Sequence, residues 1–375
     1  MLRAIYGMLT ASLLWYMKFK KDLEGISFKF NDYDPCIANR MVNGKQHTVR
    51  FHVDDLLSSH VDPKVNDQFA QWLEKMYGKY KAVEPTRGKI HDYLGIVVDF
   101  TEKGKFITDM VKYVESMIDD FPVKLNEGAK TPAAENLLDI GTGKLLNKGK
   151  AELYHTTVAK GLFLCERSRP DIQPTVAVLS TRVKAPTETD WKKLTRMMEY
   201  LKATSKMTLK LRADNLQVVK WYVDASFAVH PDYRSHTGAV MTLGEGSIIA
   251  MSKKQKLNTR SSTEAELVGA DDAVTMILWT GLFMEQQGYP LDKNILFQDN
   301  KSAILLESNG KRSAGKRSRA LNVRYFFLTD QVEKGNLSIE YCPTDVMWAD
   351  FMTKPLQGEK FRKFCDEILG QSSTE

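Results

Sequence analysis

Beyond Ser205 the chain changes character, because three short apolar segments follow one another with only brief turns between them. They read LQVVKWYVDASFAV, TGAVMTLG and SIIAMSKK, and they predict three consecutive strands. The patterns of a long helix, a strand, a helix, a strand and a final helix come next. Three strands followed by alternating helices and strands predict a mixed sheet with helices on its faces. The start of this domain is predicted between residues 204 and 217.

Two aspartates are predicted at strand ends in this domain. The strand VVKWYVDASF carries Asp224 near its end, and ILFQDN carries Asp299 at its end with a helix just beyond. Ligands of open sheets with covering helices bind at strand ends, so both aspartates are placed to share a pocket. Taken singly, Asp224 also fits a turn and Asp299 also fits a helix cap.

Two further acids lie on predicted helices. Ser261 and Glu264 have the spacing of a capping box, which gives Glu264 a structural role. Glu266 instead falls on the inward face of the same helix. Asp350 lies one turn inside a short helix near the C-terminus, where a solvated face is the alternative. Two divalent ions about 4 Å apart need three or four carboxylates. The domain supplies such a set: Asp224, Glu266, Asp299 and Asp350.

The first part of the chain carries a pair of adjacent aspartates in the segment VRFHVDDLLSSH. A helix is predicted over residues 11–23, and strands are predicted in GISFKF and HTVRFHVDDLL, with Asn43-Gly44 as a turn signal before the second. Unpaired carboxylates are expensive to bury, so Asp54 and Asp55 indicate either a hairpin tip or a metal site.

The middle of the chain is predicted to be mainly helical. A helix over residues 64–80 precedes two strands around Lys103-Gly104 and a helix in VKYVESMIDDF. Residues 128–150 are rich in Gly, Lys and Asn with little periodicity, which is typical of a linker. Helices are predicted over residues 153–166 and 173–182, and a third begins at Thr187 or Thr189 and ends near residue 203.

The charge of the chain is compatible with a polyanionic partner. The 375 residues carry a formal net charge of +6, and two basic segments, SKKQKLNTR and KRSAGKRSR, indicate phosphate contacts or solvated loops. Four widely spaced cysteines indicate a reducing compartment, cytoplasmic or nuclear. The apolar N-terminal stretch is too short to span a bilayer, so no membrane partner is predicted. The candidate nucleic-acid-binding residues are Lys253, Lys254, Lys256, Arg260, Lys316, Arg317 and Arg319.

Several segments of the second half resemble, in order, the ribonuclease H domain of copia-type retrotransposon polyproteins. They are WYVDASFAVHPDYRSHTGAVMTLGEGSIIAMSKKQKLNTRSSTEAELVGADDA, FQDNKSAILL and VRYFFLTDQVEKGNLSIEYCPTDVMWADFMTKPL. The resemblance implies hydrolysis of the RNA strand of an RNA–DNA hybrid, with two Mg²⁺ ions, or Mn²⁺ in their place, as cofactors. It assigns the metal-binding and catalytic roles to Asp224, Glu266, Asp299 and Asp350. One departure stands near the substrate side, where Ala320 and Asn322 replace the His and Asp of the family motif Lys-His-Ile-Asp.

The resemblance extends to the first part of the chain. AIYGMLTASLLWYMKF, DYDPCIANR and FHVDDLLSS resemble the later portion of a copia-type reverse transcriptase palm. By that resemblance Asp54 and Asp55 are half of a polymerase metal site, with Asp54 as the ligand. The family supplies another metal-binding aspartate from a strand upstream of the point where this chain starts. We therefore predict that this polypeptide alone does not polymerise DNA, and that other retroelement proteins would have to supply the missing palm.

The predicted fold class is α/β and α+β. An incomplete reverse transcriptase palm with a helical thumb and connection precedes an RNase H-like mixed sheet with flanking helices. The predicted division is a partial palm with the primer grip over residues 1–125, a linker over 126–150, the thumb and connection over 151–210 and the RNase H-like domain over 211–375. The alternative to a nuclease is a non-catalytic, nucleic-acid-binding remnant of a retroelement.

Overall fold

The computed structural model describes residues 10–79, 81–141, 143–310 and 322–371, with the backbone alone over residues 322–326. The chain forms two compact units, Met1–Gly95 with Leu282–Pro290 and Ile96–Gly281 with Leu291–Glu375. Several sheets and helices occur together, so the mixed α/β character that the sequence predicts is confirmed.

The first unit places helices beside a four-stranded antiparallel sheet. The sheet order is β1-β2-β3-β4, and the apolar core contains Phe19, Phe51 and Phe69. Asp62 caps the second helix by accepting a hydrogen bond from the Lys64 N–H at 3.0 Å, and Pro63 occupies its first turn. The elements are α1 (Ala11–Glu24), β1 (Lys29–Phe30), β2 (Ile37–Val42), β3 (Lys45–His52), β4 (Asp55–Ser59), α2 (Pro63–Tyr77) and β5 (Ile90–Tyr93).

Two tight turns set the register of this sheet. Val42 pairs with Lys45, so Asn43-Gly44 forms the two-residue turn that the sequence predicts, and both residues have positive φ. The predicted strand HTVRFHVDDLL is instead two strands, because His52 pairs with Asp55 across a second turn. Asp54 therefore lies at a hairpin tip.

The second unit begins with an antiparallel sheet and a layer of helices. Its strands pair in the order β11-β8-β7-β6. Thr187 caps α6 in a capping box with Asp190. The elements are β6 (Ile96–Asp99), β7 (Phe106–Asp109), α3 (Val111–Asp119), α4 (Lys148–Cys165), α5 (Gln173–Ser180), α6 (Glu188–Ala203), β8 (Leu209–Ala213) and, further along the chain, β11 (Gly244–Glu245).

A five-stranded mixed sheet follows in the same unit. Its order is β12-β10-β9-β13-β14. The first three strands are mutually antiparallel, whereas β13 runs parallel to both β9 and β14. The strands are β9 (Val218–Ser226), β10 (His236–Thr242), β12 (Ile249–Lys254), β13 (Lys293–Gln298) and β14 (Ser338–Tyr341). The helices are α7 (Ser262–Gln286), whose last turn from Leu282 belongs to the first unit, α8 (Lys301–Asn309), α9 (Asn322–Glu333), α10 (Asp350–Thr353) and α11 (Gly358–Leu369).

Helices pack on both faces of the mixed sheet. On one face Ala273 and Ile277 of α7 join Val223 of β9 in an apolar cluster. On the other face Val240 of β10 joins a cluster formed by the helices α3–α6, α10 and α11. By length and composition alone α7 could cross a bilayer, a test that buried core helices also pass.

The predicted linker, residues 126–150, lies within the second unit and is partly packed, because Ala133 and Leu137 are buried. The predicted domain boundaries at residues 125, 150 and 210 stay predictions.

Candidate metal centre

Three of the predicted acids converge from two neighbouring strands and the start of α7. Asp224, Glu266 and Asp299 each offer a carboxylate oxygen, and these oxygens lie within 4.8 Å of one another. Strand β9 runs parallel to β13 with Tyr222 opposite Phe297. Asp224 and Asp299 each lie two positions further along the chain, so their side chains project from the same side of the sheet.

The simpler readings of these two aspartates do not hold in the structure. Asp224 lies inside β9 and is only 2% exposed, so it is not a turn residue. Asp299 is not the cap of α8, because the side chain of Asn300 accepts the hydrogen bonds from the first backbone N–H groups of that helix. The Asp299 carboxylate accepts a hydrogen bond from the Thr344 hydroxyl at 2.9 Å.

The two glutamates of α7 lie as the sequence predicts. Glu264 is at the helix start, where its carboxylate accepts from the Arg260 N–H at 2.7 Å and its own N–H donates to the Ser261 hydroxyl. Glu266 is 5% exposed, and its Oε2 is buried without a hydrogen-bond partner among the residues that the structure describes. The capping role of Glu264 and the inward direction of Glu266 are confirmed.

Asp350 is buried beside the three converging acids, but both of its carboxylate oxygens are bound by lysines. Lys354 Nζ lies 2.5 Å from one oxygen, and Lys360 Nζ lies 2.7 Å from the other. Lys354 Nζ is also 3.6 Å from a carboxylate oxygen of Asp224. Asp350 is fully buried, so it does not lie on a solvated face. Its role as a fourth metal ligand stays a prediction.

A glycine lets α10 approach Asp224 closely. Gly238 of β10 lies opposite Asp224 in the sheet. A Cβ atom at Gly238 would lie 2.7 Å from the Met352 Cβ and 2.7 Å from the Thr353 Cγ2, so any larger residue would displace the helix. The Thr353 hydroxyl donates a hydrogen bond to the Asp224 carboxylate. The glycine thus places a hydrogen-bond donor and Asp350 next to Asp224.

Two histidines absent from the sequence prediction hold α10 in place. Ser252 donates to the Met352 carbonyl at 2.7 Å and accepts from His236 Nε2 at 2.8 Å. His236 Nδ1 then accepts from His230 Nε2 at 3.0 Å. Burial lowers the pKa of His236 to about 3, so its imidazole is neutral at physiological pH, and burial also lowers the pKa of His230.

The electrostatics of the site favour a bound cation. Burial, reinforced by the charges of Asp224 and Asp299, raises the pKa of Glu266 well above its ordinary value. Burial also raises the pKa of Asp224, although Lys354 opposes the shift. Carboxylate oxygens are the ligands that Mg²⁺ and Mn²⁺ prefer, and an ion would compensate the repulsion among the three groups. The unpartnered Glu266 Oε2 fits such a ligand set.

A further acid behind the site was not predicted. Glu307 of α8 is fully buried, and neither carboxyl oxygen has a hydrogen-bond partner of good geometry among the described residues. Burial, offset only in part by Gln298, raises its pKa to about 8. Its charge contributes to the raised pKa of Glu266. Glu307 and Ala303 are the buried residues of α8 at helical i, i+4 spacing, a signal present in the sequence.

The predicted basic residues are only partly described. Lys253 pairs with Asp272 at 3.3 Å, and Lys254 pairs with Asp232 at 2.6 Å. Lys256 and Arg260 are exposed near the start of α7. Four positions lie outside the described residues, as does the side chain of Asn322: Lys316, Arg317, Arg319 and Ala320.

The paired aspartates of the first unit have a different setting. Asp54 and Asp55 are exposed at the tip of the β3–β4 hairpin. Among the residues that the structure describes, they belong to no group of three potential metal ligands. The hairpin-tip interpretation is confirmed, and the polymerase role assigned by resemblance stays a prediction.

Curated proteins similar to this chain include polyproteins of plant retrotransposons. The chain is 26% identical over 379 residues to the retrovirus-related Pol polyprotein from transposon TNT 1-94 of Nicotiana tabacum, which covers 99% of the chain and 28% of that polyprotein. The corresponding polyprotein from transposon RE1 of Arabidopsis thaliana is 27% identical over 98% of the chain and 24% of its own length. This chain is related to the Pol polyproteins of Ty/copia-type retrotransposons.

The relationship extends to a shorter yeast protein. A transposon Ty5-1 protein of Saccharomyces cerevisiae is 26% identical over 73% of the chain and 87% of its own length. The chain spans only about a quarter of the length of the two plant polyproteins. No protein-family model matches the chain.

Among solved structures, the prototype foamy virus protease-reverse transcriptase matches 95% of the chain and 40% of its own chain, with 17% identity and a TM-score of 0.26. A TM-score of this size does not establish a shared overall fold.

Proposed function

We propose that the mixed-sheet region, residues 211–375, is an RNase H-like domain that hydrolyses the RNA strand of RNA–DNA hybrids with divalent metal ions. The observation that carries the proposal is the convergence of Asp224, Glu266 and Asp299 from two neighbouring strands and a helix. A five-stranded mixed sheet with helices on both faces supports the same reading. The similarity to retrotransposon Pol polyproteins favours nucleic acid as the substrate class of such a nuclease.

Each residue of the site would have its own role in binding the metal ions or the substrate. Asp224, Glu266 and Asp299 would hold Mg²⁺ or Mn²⁺, and the Thr353 hydroxyl would fix the orientation of the Asp224 carboxylate. Asp350, once freed from its lysines, would add a fourth carboxylate. Bound ions of this type supply an activated water and stabilise charge on the leaving oxygen. The exposed Lys256 and Arg260 would contact backbone phosphates of the hybrid.

A second candidate function is binding without catalysis. One observation favours it, because both oxygens of Asp350 are paired with lysines rather than directed toward the other three acids. For the first unit we propose no polymerase activity of this chain alone, since Asp54 and Asp55 are exposed and lack a third described ligand.

The experiment is cleavage of a labelled RNA–DNA hybrid in Mg²⁺ by the full chain and by Asp224→Asn, with single-stranded RNA as control. Cleavage that is specific for the hybrid and lost in the variant supports the nuclease. Hybrid binding without cleavage, equal in both proteins, would instead support the binding remnant.

A further inference from the structure

Lys354 bridges two of the predicted metal ligands. Its ammonium is 2.5 Å from a carboxylate oxygen of Asp350 and 3.6 Å from a carboxylate oxygen of Asp224. The lysine follows directly after α10, and its backbone N–H donates to the Asp350 carbonyl at 3.1 Å. One helical turn therefore holds the ammonium between the two buried carboxylates.

The second lysine at Asp350 differs in one respect. Lys360 binds the other oxygen of Asp350 at 2.7 Å, and no ion pair joins it to Asp224 among the described residues. Both lysines are comparably exposed, at 41% and 42% of the side chain. They therefore form a matched pair of cations, of which one faces the metal site and the other does not.

The three converging acids and Asp350 carry four potential negative charges. A divalent ion at Asp224, Glu266 and Asp299 compensates part of this charge. A second ion would need carboxylate ligands beyond these three. The position between Asp224 and Asp350 offers them, but the ammonium of Lys354 already lies there. A cation placed within a few ångströms of an ammonium is strongly repelled at a partly buried site.

We propose that Lys354 occupies the second cation position of this site. The chain as folded then takes up one divalent ion at Asp224, Glu266 and Asp299, and a second ion binds only when Lys354 leaves Asp224. This inference rests on the proposed metal site, whose carboxylates it uses, and it adds a residue that sets the number of bound ions.

The test is calorimetric titration of the full chain with Mn²⁺, for the unchanged protein, Lys354→Met, Lys354→Arg and Lys360→Met. The unchanged protein is expected to bind one ion. Lys354→Met should bind a second ion at least about tenfold more tightly than the unchanged protein does. Lys354→Arg, which keeps the cation, and Lys360→Met should both keep the stoichiometry of one. Thermal unfolding of each variant verifies that it is folded.

Two results would overturn the inference. One is two ions of similar affinity in the unchanged protein, and the other is an equal gain in Lys354→Met and Lys360→Met, which would indicate a general charge effect. Asp299→Asn separates this inference from the proposed function. If Asp299→Asn abolishes binding of the first ion and Lys354→Met gains the second, the inference holds even when no hybrid is cleaved. If the hybrid is cleaved and the number of bound ions is the same in Lys354→Met as in the unchanged protein, only the inference fails.

Discussion

The buried Glu307 makes the stability of the second unit depend on pH in a predictable direction. In the folded chain its pKa is raised from 4.5 to about 8, because the carboxyl is fully buried. The folded state therefore keeps a proton that the unfolded state releases near pH 4.5. The stabilising effect of the protonated form is complete below that pH and is lost as the pH rises through about 8.

The size of this effect follows from the shift in pKa. The shift means that ionising Glu307 in the folded state lowers the free energy of unfolding by about 5 kcal/mol. About 4 kcal/mol of this stability is lost between pH 5 and pH 9. Glu307→Gln removes the ionisable proton while keeping the shape of the side chain. We expect the variant to match the unchanged protein within about 1 kcal/mol at pH 5 and to exceed it by about 4 to 5 kcal/mol at pH 9.

Urea denaturation monitored by circular dichroism at pH 5, 7 and 9 measures the difference. Glu264→Gln is the matched control, since this glutamate caps α7 at the surface. A difference between Glu307→Gln and the unchanged protein that follows the difference for Glu264→Gln at all three pH values would refute the reasoning, because the buried carboxyl would then ionise alike in both states.

Three further predictions concern the hairpins and the surface. Gly44→Val should destabilise the first unit by about 1 to 2 kcal/mol in thermal unfolding, since φ is +73° there; Gly128→Val, at an equally open position without positive φ, should have a smaller effect. Asp54→Asn should leave hybrid cleavage unchanged, and a large loss would contradict the assignment of cleavage to the second unit alone. Lys256→Ala should lower the salt dependence of hybrid binding, measured by fluorescence anisotropy, by about one phosphate contact; an unchanged slope would exclude that contact.

Local patterns predicted the parts of the fold that depend on neighbouring residues. Asn43-Gly44 forms its turn because few residue pairs accept two positive φ angles. The choice of Glu266 over Glu264 followed from helical periodicity and a capping pattern, both of which are local. The apolar alternation of HTVRFHVDDLL predicts one continuous strand because it extends past the turn at Asp54.

Features that depend on tertiary pairing could not be read from the sequence. The sequence predicts that Asp224 and Asp299 share a pocket, but strand patterns do not specify the parallel pairing of β9 with β13 that brings them together. Lys354 lies four residues after Asp350, so the ion pair between these two residues could be predicted from the sequence. The approach of Lys354 to Asp224 could not, because it depends on the packing of α10 against Gly238. The His236 chain likewise joins residues from three separate elements.

The central claim is that the three converging carboxylates form the catalytic metal site of a nuclease. The most direct test compares the rate of RNA–DNA hybrid cleavage by Glu266→Gln and Glu264→Gln, two equal changes two residues apart on α7. We expect a loss of at least about 100-fold for Glu266→Gln and a nearly unchanged rate for Glu264→Gln. Equal rates in the two variants, or a greater loss in Glu264→Gln, would contradict it.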